Sequence, residues 1–167
     1  MNKCELLIPV GNHEMLIAAI NNGADAVYFG GKSFGARAYA DNFDNEEIIL
    51  AIKLCHQYNV KCYVTVNTML FNYDFNEAMN YLKFLYENDV DAVILQDFGL
   101  INMVRKSIPD LDIHVSTQAH THNKELTNYY YNIGCKRIVF DREMSLDDIC
   151  SIDVPIEKEI FVYEDFI

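Results

Sequence analysis

A chain of 167 residues is long enough for one sizeable core and short for two ordinary domains, so a single domain over 1–167 is expected. A hydrophobic fraction of 51% with 13% aromatics excludes disorder, and no apolar run approaches the ~18 residues of a membrane span; a soluble globular chain follows. The formal charge of −12, with no Lys/Arg stripe to offset it, repels polyanions and disfavours nucleic-acid binding by this chain alone.

Met1-Asn2-Lys3-Cys4-Glu5 is not a charged segment leading into an apolar one, so nothing directs export and the cytoplasm is the expected location. Cys4, Cys55, Cys62, Cys135 and Cys150 are odd in number, scattered and never in C-x-x-C spacing. That argues against a disulfide framework or a self-contained zinc site and for reduced core thiols.

In chain order, Glu5 to Val10 is an apolar run ending in Gly11-Asn12, after which Met15, Leu16, Ala19 and Ile20 recur at helical spacing up to Asn22-Gly23. Ala24 to Phe29 reads as a second strand running into a glycine loop, Gly30 to Gly35, and an irregular stretch that carries Arg37. Asp44 with Glu47 has capping-box spacing and announces a helix whose inner face is Ile48, Ala51, Ile52 and Cys55. Cys62 to Asn67 is a third strand, and Asp74 with Glu77 repeats the capping spacing before Ala78, Tyr81, Leu82 and Leu85. Ala92 to Leu95 is a fourth strand, tipped by Gln96-Asp97, and its helix turns Leu100, Ile101 and Val104 inward before Pro109. Ile113-His114-Val115 begins a fifth buried strand that ends in Ser116-Thr117-Gln118, three polar residues for which a sheet interior has no use. A helix from Asn123 to Ile133 stops at Gly134, Arg137 to Phe140 is a sixth strand tipped by Asp141-Arg142-Glu143, and Ser145 with Asp148 opens a short helix. Ile160 to Tyr163 is expected as the seventh strand, tipped by Glu164-Asp165.

Seven apolar strands alternating with six helices through short connections require parallel pairing and right-handed crossovers. The expected fold is α/β: an incomplete (β/α) TIM-like barrel, one strand short of closure. A doubly wound sheet is the alternative; Gly30, Gly31 and Gly35 lack the G-x-G-x-x-G spacing that would favour it.

Residues 5–12, Gly23-Ala24-Asp25-Ala26-Val27-Tyr28-Phe29-Gly30-Gly31, Val66-Asn67-Thr68, residues 90–99 from Val90 to Gly99, and His114 to Gln118 together resemble the N-terminal region of the collagenase-like peptidases, family U32. The resemblance runs from about residue 5 to 150 and implies a β/α-barrel-like core. Some members of that family are described as collagen-degrading peptidases. Others support oxygen-independent hydroxylation of RNA bases or of a quinone precursor, with an iron–sulfur cluster on cysteines and, for RNA, prephenate as the oxygen source. The family's cysteine-rich signature follows the seventh strand, where a His-Gly pair is common; Tyr163-Glu164 stands there, and the sequence stops at Ile167. No cofactor is therefore expected in this chain, and an iron–sulfur cluster only if the reading frame continues past Ile167.

In a barrel the reacting groups sit where strands end. The collected tips are Asn12, Tyr28, Arg37, Asn67, Gln96, Asp97, Ser116, Thr117, Gln118, Arg142, Glu143 and Glu164. Arg37 has the chemistry to clamp a carboxylate or phosphate, or it is a solvated loop residue. Gln96 and Gln118 either hold a ligand or close strand ends. Ser116 lies in no elbow turn, and Cys62 opens its strand on the opposite face, so no triad is expected. His120 and His122 have H-x-H spacing and with Asp97 or Glu143 make a weak metal candidate; otherwise they face solvent. Asp141 and Glu143 form an acid–base pair or simply belong to an acidic surface. The tyrosines at 129–131 cannot all face inward.

Three functional expectations result. The first is a U32 peptidase homologue, acting by proteolysis; the second is RNA or quinone-precursor hydroxylation; the third is a non-catalytic scaffold. An open barrel edge predicts a homodimer or a covering partner chain.

Overall fold

A computed structural model describes residues 4–35 and 42–162; Arg37 and Glu164, two of the site candidates, lie outside the described residues. The elements in order are β1 (Leu7–Pro9), α1 (His13–Asn21), β2 (Ala26–Gly30), α2 (Asn45–Gln57), β3 (Lys61–Val66), α3 (Phe75–Glu87), β4 (Ala92–Leu95) and α4 (Phe98–Ser107). There follow β5 (Ile113–Val115), a 3-10 turn (Thr117–Ala119), α5 (Lys124–Asn132), β6 (Arg137–Val139), α6 (Leu146–Ser151) and β7 (Glu157–Glu159). The strands lie in the order β1-β2-β3-β4-β5-β6-β7. Pairing is parallel in β1–β2, β2–β3, β5–β6 and β6–β7. The order never reverses, so there is no switch point and the doubly wound alternative falls. This is the connectivity of an incomplete (β/α) barrel. The chain divides into two compact units, Met1–Ile94 and Leu95–Ile167.

In the first unit, helix faces match the apolar spacing of the sequence: Ile48, Ala51, Ile52 and Cys55 are buried on α2, and Ala78, Tyr81, Leu82 and Leu85 on α3. Each large aliphatic so buried is worth about 1.5–3 kcal/mol. Asp44 and Glu47 make the predicted capping box. Asp74 does not cap: it sits in right-handed helical geometry with no side-chain cap bond. Its carboxylate instead accepts from the Phe71 N–H at 2.8 Å.

A repeated device holds the strand starts. Asp25, just before β2, accepts the Leu6 N–H at 2.9 Å, and Asp91, just before β4, accepts the Cys62 N–H at 2.8 Å. Each carboxylate satisfies an amide of the preceding strand, so the recurring Ala/Val-Asp-Ala-Val stretches fasten neighbouring strands at their N-terminal ends.

In the second unit, Ile113, His114 and Val115 of β5 are all buried. Arg105 of α4 reaches beyond its helix and donates to the carbonyls of Gly134 (2.8 Å), Leu111 (2.9 Å) and Pro109. Tyr130 is buried on α5 while Tyr129 and Tyr131 are exposed.

The seventh strand departs from expectation. It is Glu157-Lys158-Glu159, and the apolar run from Ile160 is exposed. Charge sets this register: buried Arg137 of β6 stands opposite Glu157, donating to it at 2.9 and 2.7 Å and to Glu159 at 3.2 Å. Lys158, pointing the other way, donates to the carbonyls of Ile149 and Ile152 at 2.8 and 2.5 Å and closes the end of α6.

Candidate functional site

The tips of β5 and β6 are stitched together. Ser116 is 1% exposed, and its Oγ accepts the Gln118 N–H at 3.2 Å, which starts the 3-10 turn. His120 ends that turn in the left-handed region, at φ 51° and ψ 48°. A non-glycine residue there costs about 1 kcal/mol, so the surrounding bonds must hold it. They do: the Thr117 hydroxyl donates to the Phe140 carbonyl at 3.3 Å, and the Asp141 N–H donates to Thr121 O at 3.4 Å. The turn brings His120 Nδ1 to 3.5 Å from Asp141 Oδ2, and His122 Nδ1 donates to His120 O at 2.7 Å.

Beside this junction lies a cavity of about 780 Å³. Thr117, Gln118, His120 and His122 from the β5 tip line it, with Arg142 and Glu143 from the β6 tip. With Asp141, seven residues singled out in the sequence therefore line one cavity. Asn123, Lys124, Met144, Asp148, Ser151 and Ile152 complete the wall. The neighbouring Glu143 carboxyl is the main reason that Asp141's carboxyl sits below the ordinary carboxylate value, through a hydrogen bond supplied by one proton shared between the two groups. Partial burial opposes that bond, while the His120 ring and the Arg142 N–H reinforce it. The cavity thus presents a fixed carboxylate, an amide side chain, imidazoles and two cationic side chains. Such a set suits a small polar group with both donors and acceptors, and proton transfer at Asp141.

The remaining candidates are placed elsewhere. Asn12 is the N-cap of α1, accepting the Met15 N–H at 2.9 Å, and Asp97 caps α4 in the same way through Leu100. Tyr28 packs on a buried cluster of Ala26, Tyr63, Ala92 and Ile94. Asn67 donates its N–H to Phe34 O at 3.0 Å. Gln96 follows β4, half-buried. Ser116 is not among the residues that line the cavity; its Oγ holds the turn that carries Thr117 and Gln118. Lys124, Met144, Ser151 and Ile152 were not legible as site residues. The one sequence signal was the adjacency of Asn123-Lys124 to the His-Thr-His stretch, since Asn123 caps α5 and turns Lys124 to the cavity.

Among the described residues no group of three His, Cys, Asp or Glu could hold a metal. They do not fit an iron–sulfur cluster either: Cys55, Cys62 and Cys135 are buried, Cys4 and Cys150 are exposed, and burial pushes the Cys135 thiol up to about 12. Cluster ligation needs thiolates gathered at one place. No helix among the described residues is long and apolar enough to cross a membrane.

Comparison with known proteins agrees with this architecture. The chain is 37% identical over 163 residues to tRNA hydroxylation protein P1 of Bacillus subtilis (strain 168), covering 96% of this chain and 39% of that protein. It is 36% identical over 151 residues to the 23S rRNA 5-hydroxycytidine C2501 synthase of Escherichia coli (strain K12), covering 90% of this chain and 22% of that enzyme. The chain thus spans well under half the length of these curated relatives. The solved structure of the U32 peptidase Mk0906 superposes with a TM-score of 0.79 at 14% identity, over 95% of this chain and 68% of that one, and carries the same fold. The model of peptidase family U32 matches residues 11–167, and the chain belongs to that family.

Proposed function

We propose that this chain forms the base-holding part of an RNA-hydroxylating protein, with the cavity at the β5 and β6 tips receiving the target nucleobase. The observation that carries the reading is near-complete coverage by two relatives named for RNA hydroxylation, at 37% and 36% identity. The cavity's chemistry supports it. Asp141 offers a carboxylate acceptor to an exocyclic amine, and Gln118 offers a paired donor and acceptor to a base edge. Arg142 and Lys124 supply the positive charge that an adjoining phosphate requires. The described residues bind and orient; the source of the transferred oxygen is not among them. A peptidase reading has less support, because Ser116 is buried and its Oγ is engaged with the Gln118 N–H.

The test is deletion of the gene in its host, followed by mass spectrometry of nucleosides from tRNA and rRNA. Loss of one hydroxylated pyrimidine is expected. Restoration by the wild-type gene, with less than about a tenth of that level from Asp141→Asn, would place the cavity in the reaction. Unchanged nucleosides in the deletion strain would overturn the proposal, and gelatin hydrolysis by the purified protein would restore the peptidase reading.

A further inference from the structure

We infer that the loop between β3 and α3 is a stacking platform for an unpaired nucleobase of single-stranded RNA, a second contact beyond the cavity; this rests on the RNA reading above. Three large apolar side chains project from that loop: Met69 is 80% exposed, Phe71 65% and Tyr73 78%. The Phe71 and Tyr73 rings are already stacked on each other, with centroids 5.5 Å apart and planes inclined by 14°. Each ring of a stacked pair has a second face outside the stack, and with both residues largely exposed such a face suits a base.

The loop is built to hold those rings still. Asp74 and Glu77 have the spacing of a helix cap, yet Asp74 caps nothing. Its carboxylate accepts the Phe71 N–H at 2.8 Å, and its own N–H donates to Phe71 O at 2.9 Å, so the two residues clasp the turn that carries the pair. At the other end, the Asn67 N–H donates to Phe34 O at 3.0 Å and the Thr68 hydroxyl to the same oxygen at 3.4 Å. Giving up a cap costs α3 about 1 kcal/mol, and what is obtained is a fixed loop whose exposed rings have no stabilising burial of their own. Residues 67–73 carry no charge, so recognition there is through ring faces and not through phosphate. The position, directly after the C-terminal end of β3, is where β/α folds place binding loops.

The experiment measures fluorescence anisotropy of a labelled single-stranded pyrimidine octanucleotide RNA with the 167-residue chain. Roughly 0.5 M salt screens the repulsion between its net −12 charge and phosphate while leaving stacking intact. Wild type is expected to bind the single strand and not the same sequence as a duplex. The double substitution Phe71→Ala with Tyr73→Ala should weaken binding roughly 10- to 100-fold, from the usual worth of base–aromatic stacking. Tyr73→Trp should bind at least as tightly as wild type, and Asp74→Ala should weaken binding several-fold with both rings still present. Equal affinity of the double variant and wild type, each with a native circular dichroism spectrum, would overturn the platform. So would light scattering in which wild type self-associates and the double variant does not, since the rings would then be a protein contact. Failure of the platform leaves the nucleoside result of the deletion strain untouched; failure of the RNA reading removes both.

Discussion

Replacing Arg137 by Met tests whether charge sets the last strand. The Arg137 side chain is 9% exposed and joins two carboxylates of β7, Glu159 at 16% exposure and Glu157 at 47%. The Glu157 pair is half in water and is worth about 0.5–1 kcal/mol. The Glu159 pair is nearly dry, and taking away the cation that faces this carboxylate costs about 2–3 kcal/mol. Arg137→Met keeps most of the apolar stem, so the sum, about 3 kcal/mol, is the expected loss. For a chain of this size that lowers Tm by about 6–12 °C. Urea unfolding with the slope held in common gives the free energy directly. Adding Glu159→Leu removes the carboxylate that faced the lost cation, and the double variant should recover at least half the loss, which a cycle of the single and double variants resolves. A loss under about 1 kcal/mol for Arg137→Met, or strict additivity in the cycle, would refute the claim that this ion pair fixes β7.

Two further outcomes follow from local geometry. A Cβ added at Gly31 would overlap the buried Tyr81 hydroxyl and crowd Ile48 Cδ1 at 3.3 Å, so Gly31→Ala should cost about 2–3 kcal/mol in urea unfolding. Tyr81→Phe should be neutral or stabilising, because that hydroxyl has no partner, and should rescue much of the Gly31→Ala loss; equal costs with and without Tyr81→Phe would sink the steric account. Asp141's folded-state value lies below the ordinary 3.8, so its contribution is complete above that value and disappears as pH falls through the lower one. The stability difference between wild type and Asp141→Asn should therefore shrink from about pH 5 toward pH 2, and a difference that is flat across that range would contradict the stated cause.

Local signals carried far. The Asp44–Glu47 box formed because both partners lie within one helical turn, and the inner faces of α2 and α3 were readable from apolar spacing alone. The site was half legible: Thr117-Gln118 and Arg142-Glu143 stand at strand tips, which a run of apolar residues turning polar marks directly. Lys124, Ser151 and Ile152 carry no such mark, since they join the cavity only through where α5 and α6 pack. Asp74 misled because a cap and a loop clasp have the same spacing, and only the backbone angle of Asp74 separates them. The seventh strand misled because hydrophobicity favoured Ile160 onward while a single buried cation, Arg137, selected the charged residues before it.

The placement of the five thiols makes the native protein its own reporter. Cys150, exposed in α6 next to cavity residue Ser151, reacts alongside exposed Cys4, and peptide mapping separates the two, so an occupant of the cavity reads out as protection of Cys150. Cys55 and Cys62 are sealed in the first unit and Cys135 in the second, so a pulse of thiol reagent followed by peptide mass mapping times the opening of each half separately, without a single substitution.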